Sequence, residues 1–108
     1  MKAETFDKVS SVQVGTSAGE LVKNDPRRVT LIISNMAADD VIITPDPLTP
    51  TSTLGILVAK SGGNKTFLAS EDGPLPRRKF QALTTGAGAV NVTVIEVFKK
   101  APKTESEA

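Results

Sequence analysis

The clearest strand signal in the chain is the segment VTLIISN at residues 29–35. One face of this segment carries Val, Leu and Ile, and the opposite face carries Thr, Ile and Ser, because successive side chains of a strand point to opposite faces. The segment VIIT at residues 41–44 follows after a connection of five residues. This spacing predicts an antiparallel hairpin that places Ile33 opposite Ile43.

Similar short apolar runs recur on both sides of this segment, separated by turns rich in Gly and Pro. Three Pro within residues 45–50 remove three backbone donors, so we expect a surface loop there. No segment has a helical period over about 11 residues. The pattern of seven or eight short strands predicts an all-β fold, an antiparallel β-sandwich with a jelly-roll-like arrangement. The expected strand segments are residues 9–15, 20–22, 29–35, 41–44, 55–59, 65–69, 78–84 and 90–98.

The chain has 108 residues, which is the length of a single domain. Residues 1–8 are polar apart from Phe6. We expect them to form an N-terminal arm that either frays as an ordinary terminus or reaches a neighbouring subunit. Residues 9–99 are expected to form one β-sandwich domain. Residues 100–108 contain no large apolar side chain, which predicts a flexible, disordered C-terminal tail.

The composition excludes several kinds of chemistry, because the chain has no Cys, His, Trp or Tyr. Disulfides, thiolate or imidazole metal sites, a Cys nucleophile and a His general base are therefore impossible. No phosphate-binding loop and no calcium-loop pattern occurs in the sequence. We expect no metal, no cofactor and no enzymatic activity.

Basic and acidic residues are nearly balanced, with 13 Lys and Arg against 12 Asp and Glu. A dedicated nucleic-acid-binding protein usually carries a clear basic excess, so nucleic acid is not an expected partner. No run of about 18 apolar residues predicts a membrane span, and the N-terminus lacks the apolar core of a signal peptide. We therefore expect no membrane association, and synthesis in a cytoplasm.

The last expected strand has an irregular pattern. Val recurs on one face through residues 90–94, but Glu96 follows on that same face. Ile95 and Val97 make the opposite face apolar as well. Either a β-bulge near Ile95 shifts the pattern, or both faces are covered there. Glu96 itself is expected to be a charge at a strand edge that discourages aggregation.

Two further groups of residues suggest contacts with a partner. Ile32 and Ile42, on the expected outer face of the hairpin, are either scattered surface aliphatics or, with Ile95 and Val97, an association patch. The basic clusters at residues 27–28 and 77–79 each stand at the start of an expected strand. They are either solvated charges or side chains that bind carboxylates or phosphates of a partner. Charged binding of that kind weakens steeply with salt.

The segment NDPRRVTLIISN at residues 24–35 resembles the pattern N-P-x-R-x-x-L-x-I-x-N, which opens many small phage virion β-proteins. The apolar segments near residues 41–43, 55–59 and 92–96 follow in the order of that family, and the resemblance covers about residues 12–97. Asp25 departs from the pattern, which has Asn before Pro. The matching positions are Pro26, Arg28, Leu31, Ile33 and Asn35.

The resemblance implies a capsid cement or decoration protein, or a head-tail accessory protein, built as a small β-sandwich or jelly roll. Such a protein would be made in the host cytoplasm and would bind the major capsid protein on the outer capsid surface of the virion, as a homotrimer. A tail or head-fibre appendage that binds a receptor or another partner is the alternative. The residues expected at oligomer or capsid contacts are Phe6, Arg27, Arg28, Ile32, Ile42, Arg77, Arg78, Ile95 and Val97.

Overall fold

The chain folds almost entirely into β-strands, as a computed structural model of residues 5–99 describes it. A short helix, α1 (Ala69–Asp72), and a 3₁₀ turn (Leu75–Arg77) occupy part of the connection between the sixth and seventh strands, where the sequence predicts a loop. The predicted all-β antiparallel sandwich is confirmed. Its strands are β1 (Thr5–Val14), β2 (Gly19–Val22), β3 (Arg28–Asn35), β4 (Val41–Pro45), β5 (Ile56–Val58), β6 (Gly63–Leu68), β7 (Phe80–Thr84) and β8 (Val90–Lys99).

The strands form two four-stranded sheets. Sheet A has the order β1-β8-β3-β6, and sheet B has the order β2-β7-β4-β5. Because β3 and β4 lie in different sheets, the predicted hairpin between them is wrong. Ile33 pairs with Val94 of β8, whereas Ile43 pairs with Ala82 of β7. Both isoleucines are fully buried. The β3–β4 connection passes from one sheet to the other, which lies about 10 Å away, so each isoleucine faces the core from its own sheet.

The hydrophobic core lies between the two sheets. Aromatic rings meet there, because Phe67 of sheet A and Phe80 of sheet B have their centroids 5.2 Å apart. Full burial of one such ring contributes about 1.5–3 kcal/mol relative to an exposed ring, so this pair stabilises the contact between the sheets. The other members of the core are Val14, Leu21, Val22, Leu31, Ile33, Val41, Ile43, Val58, Ala82, Val92 and Val94.

The beginning of the described chain is part of sheet A. Strand β1 starts at Thr5, which pairs with Lys99, so residues 5–8 of the expected N-terminal arm are strand. Phe6 stacks on Phe98 of the same chain, with 5.1 Å between the ring centroids, and it remains 38% exposed. Residues 1–4 of the expected arm, and the tail predicted at residues 100–108, lie outside the described residues. Between residues 5 and 99, no helix is long and apolar enough to cross a membrane.

The proline-containing loop after β4 covers the outer face of sheet B. Thr44 Oγ1 donates a hydrogen bond of 2.7 Å to the Leu48 carbonyl, and the backbone of Gly55 comes close to the side chains of Ile42 and Thr44. Ile42 is therefore only 7% exposed. The expectation that Ile42 contributes to an exposed contact patch is wrong, because this loop already covers its side chain.

The close approach at Gly55 predicts a stability effect. Gly55 has a φ of 141°, and a Cβ atom there would overlap Ile42 Cγ2 and lie 3.0 Å from the Ile43 carbonyl oxygen. We expect Gly55→Ala to lower the free energy of unfolding by about 1–3 kcal/mol in chemical denaturation, because it adds backbone strain and a steric clash. Gly19→Ala is the matched control, since no atom lies within 4 Å of its Cβ position. Equal losses in the two variants would contradict the covering role of the loop.

Candidate interaction site

A β-bulge in β3 determines where Arg28 points. Arg28 pairs with Phe98, and Thr30 pairs with Val97, so Arg28 and Val29 together oppose one residue of β8. The extra residue brings Arg28 to the same inner face as Leu31, although their positions differ by three and regular alternation would place them on opposite faces. Arg28 is only 1% exposed. Its expected role at an exposed oligomer or capsid contact is therefore wrong.

All five N–H groups of the Arg28 guanidinium have acceptors within the chain. Nη1 donates to Glu96 Oε2 at 2.8 Å and to the Lys23 carbonyl at 2.9 Å. Nη2 donates to the Lys23 carbonyl at 2.6 Å and to the Arg78 carbonyl at 3.0 Å, and Nε donates to the Pro76 carbonyl at 2.7 Å. One buried side chain thus joins the end of β2, the connection before β7, and β8.

Glu96 is the carboxylate partner of this buried arginine. Strand β8 lies between β1 and β3, so the expectation that Glu96 is a strand-edge charge is wrong. The inner-face pattern of β8 continues without a bulge through Val94, Glu96 and Phe98, which are all buried. A charged residue on an otherwise apolar face is the signal that could have predicted a buried cation as its partner, because an unpaired buried charge is very costly.

Asn35, at the other end of β3, is a second buried polar residue among the positions that match the pattern of phage virion β-proteins. Its side chain is fully buried, and Nδ2 donates to the carbonyls of Asp39 and Val58 at 2.9 and 3.0 Å. Oδ1 accepts the N–H of Ala37 at 3.0 Å. Asn35 therefore holds the β3–β4 connection against β5, which links the two sheets at this end of the sandwich.

An aliphatic row crosses the outer face of sheet A. Val9 of β1 pairs with Ile95 of β8, and Ile95 pairs with Ile32 of β3. Val9 is 66% exposed, and the two isoleucines are half-buried. Val97, also half-buried, lies on the same face two residues further along β8. The structure thus brings together three of the four predicted patch residues, and adds Val9, which the sequence interpretation left out.

The two basic clusters of the sequence meet at one end of the sandwich. The N–H of Asp25 donates to the Arg77 carbonyl at 2.9 Å, and the N–H of Lys99 donates to the Arg27 carbonyl at 2.8 Å. We call this surface the basic end, and it is located at the start of β3 and the end of β8. Its exposed cations are Lys23, Arg27, Arg77, Arg78 and Lys99.

A groove of about 390 Å³ with both polar and apolar lining residues lies between β1 and β2. Lys8, Ser10 and Glu20 line its rim, and the Arg28–Glu96 pair is part of its wall. The charges of that pair satisfy each other, so they provide no free base or nucleophile. Within residues 5–99, no three His, Cys, Asp or Glu side chains are grouped as metal ligands would be.

The fold places the chain among antiparallel β-sandwich proteins. No protein-family model and no curated protein matches the sequence. A solved structure from the work "Bacillus endospore appendages form a novel family of disulfide-linked pili" is similar, with a TM-score of 0.57 and 10% sequence identity. The match covers 94% of this chain and 93% of that one. At this identity the likeness concerns the fold, and this chain has no Cys with which to form disulfide links.

Proposed function

We propose that this protein is a structural component of a phage virion, a capsid cement or decoration protein that binds the outer capsid surface. The observation that carries the proposal is the aliphatic row of Val9, Ile95 and Ile32 on the outer face of sheet A. The loop after β4 covers Ile42 and Thr44 on the outer face of sheet B, whereas Val9 in the row on sheet A is 66% exposed within the described residues. The resemblance of residues 24–35 to phage virion β-proteins supports the same role.

Stabilisation of a shell by such a protein needs no catalysis. Each copy would contact neighbouring major capsid protein subunits and bridge them, and a homotrimer would multiply these contacts. Linked weak contacts raise the overall affinity by a large factor, because each further contact forms at a high effective concentration. Aliphatic side chains and strand surfaces would make most of the contacts, since the chain has no Trp or Tyr to serve as aromatic anchors.

The proposal predicts dense binding to the shell that depends on Val9. We expect the purified protein to occupy empty expanded capsids of its phage at symmetry-related positions, counted by electron microscopy, and to have the mass of a trimer in light scattering. Val9→Lys should weaken capsid binding by about tenfold or more, because it places a charge in an apolar contact.

Ser11→Lys is the matched control. Ser11 is exposed and lies two residues along the same face of β1, and its replacement should leave both capsid binding and the thermal midpoint unchanged. An absence of capsid binding by the unmodified protein would refute the proposal. Equal binding by the Val9→Lys variant would refute the role of the aliphatic row.

A phage tail or head-fibre appendage module is the second candidate. The observation that suggests it is the similar fold of a protein from the work on Bacillus endospore appendages, described there as disulfide-linked pili. The same microscopy distinguishes the two candidates. Binding confined to a vertex or to the tail, or binding to host cells alone, would support the appendage.

A further inference from the structure

We infer that the basic end is a second docking surface, separate from the aliphatic row, and that the partner presents an acidic protein surface to it. The inference rests on the proposed function and specifies the chemistry of the contact. The chain has an overall charge of +1, yet within residues 5–99 five exposed Lys and Arg side chains meet at this end. Such local concentration of one sign of charge steers a partner of the opposite sign.

The backbone beneath these cations is held in place. Arg28 donates to the carbonyls of Lys23 and Arg78 at 2.9 and 3.0 Å, and the carbonyls of Arg27 and Arg77 accept backbone N–H groups. Only the side chains would have to become ordered on binding, so the entropic cost of docking is lower than for a mobile loop. The buried ion pair thus has a second consequence, since it positions the exposed cations.

Few acids neutralise this surface. Within residues 5–99, the one carboxylate that lies within 4 Å of these exposed cations is Asp25, at 3.8 Å from Arg27 Nε. Glu96 is already paired with Arg28. Helix α1 beside the basic end carries Glu71 and Asp72, and Asp72 Oδ2 accepts the N–H of Leu68 at 2.8 Å. Among the residues that the structure describes, most of these cations therefore have no carboxylate within 4 Å.

The chemistry favours a protein over a nucleic acid. Arg side chains form two-pronged hydrogen bonds with carboxylates as well as with phosphates. A nucleic acid, however, is bound by proteins with a large overall basic excess and, for single strands, aromatic stacking platforms. This chain has nearly balanced charges and four Phe as its whole aromatic content. An acidic patch on a folded protein is the partner that matches a small, local cluster of cations.

Charge reversal tests the inference. Arg77 and Arg78 hold neighbouring segments through their carbonyl oxygens, and the Arg78 side chain adds one exposed hydrogen bond of 3.3 Å to the Asp46 carbonyl. Arg77→Glu with Arg78→Glu should therefore preserve the fold. We expect this double variant to bind fluorescent poly-L-glutamate about tenfold more weakly than the unmodified protein at about 50 mM NaCl. The control is Lys60→Glu with Lys65→Glu, which makes the same charge change at exposed positions away from the basic end. It should change binding by less than about twofold.

The outcomes separate this inference from the proposed function. Loss of poly-L-glutamate binding in the Arg77 and Arg78 variant but not in the control supports the basic end, even if the unmodified protein never binds capsids. Equal losses in both variants would overturn the inference, as would tighter binding of duplex DNA than of poly-L-glutamate at the same salt concentration. Unchanged capsid binding by the Arg77 and Arg78 variant would also overturn it, and would leave the capsid proposal intact.

Discussion

Arg28→Met is expected to lower the free energy of unfolding by about 3–5 kcal/mol, because it leaves the buried carboxylate of Glu96 without its cation. It also removes the donors for the carbonyls of Lys23, Pro76 and Arg78. The β2–β3 connection and the β6–β7 connection, which both reach the start of β3, would lose their common partner at once. Chemical denaturation measures the loss, and a variant too unstable to purify would show it as a large fall in soluble yield.

The neighbouring residue provides the control for this prediction. Arg27 has the same side chain, but it is exposed, and its Nε lies 3.8 Å from Asp25 Oδ1. Arg27→Met should therefore change stability by less than about 0.5 kcal/mol. Arg28→Met combined with Glu96→Leu should recover part of the loss, because the uncompensated charge is then absent. A loss below about 1 kcal/mol for Arg28→Met alone would show that the ion pair has no major structural role.

Asn35→Ala is expected to cost about 2–4 kcal/mol at the opposite end of β3. The substitution leaves the carbonyls of Asp39 and Val58 and the N–H of Ala37 without a side-chain partner. Each buried polar group that loses its partner costs about 1–3 kcal/mol, less where water can reach it. Chemical denaturation again gives the value.

Asn64→Ala is the matched control, since Asn64 is an exposed residue of β6 that pairs with Ser34. It should change stability by less than about 0.5 kcal/mol. Asn35→Asp keeps the size of the side chain but replaces its donor with a charge, so it should be at least as destabilising as Asn35→Ala. A stable Asn35→Asp variant would contradict the hydrogen-bonded, water-excluded environment of this side chain.

Much of the local structure could be predicted from the pattern of residues. The alternation in residues 29–35 places Leu31 and Ile33 inward, and both are fully buried. Val92 and Val94 of β8 likewise face the core. These predictions succeeded because side-chain alternation is a property of the strand itself. The hairpin between β3 and β4 failed because a short connection is compatible with pairing in one sheet or with crossing to the other.

Some of the predicted contact residues lie on the surface and others are buried, for a similar reason. Ile32 and Ile95 lie side by side in sheet A, whereas Ile42 lies under a loop of sheet B. Their sequence pattern is the same, and only the elements packed outside each sheet distinguish them. Arg27 and Arg28 are adjacent in sequence, yet one is exposed and the other is buried by the bulge at Val29. A bulge changes the face on which every preceding residue of the strand lies. No local signal in residues 24–35 predicted the bulge at Val29.

The amino-acid sequence by itself determined the class of this protein. It specified short strands with apolar inner faces, prolines and glycines between them, and a chain without the side chains of thiol or imidazole chemistry. The tertiary structure alone decided which strands pair, and so brought Arg28 to Glu96 across 68 positions of the chain. Strand formation depends on residues that are close in sequence. A buried pair of opposite charges is stable only where the tertiary structure brings the two side chains into contact.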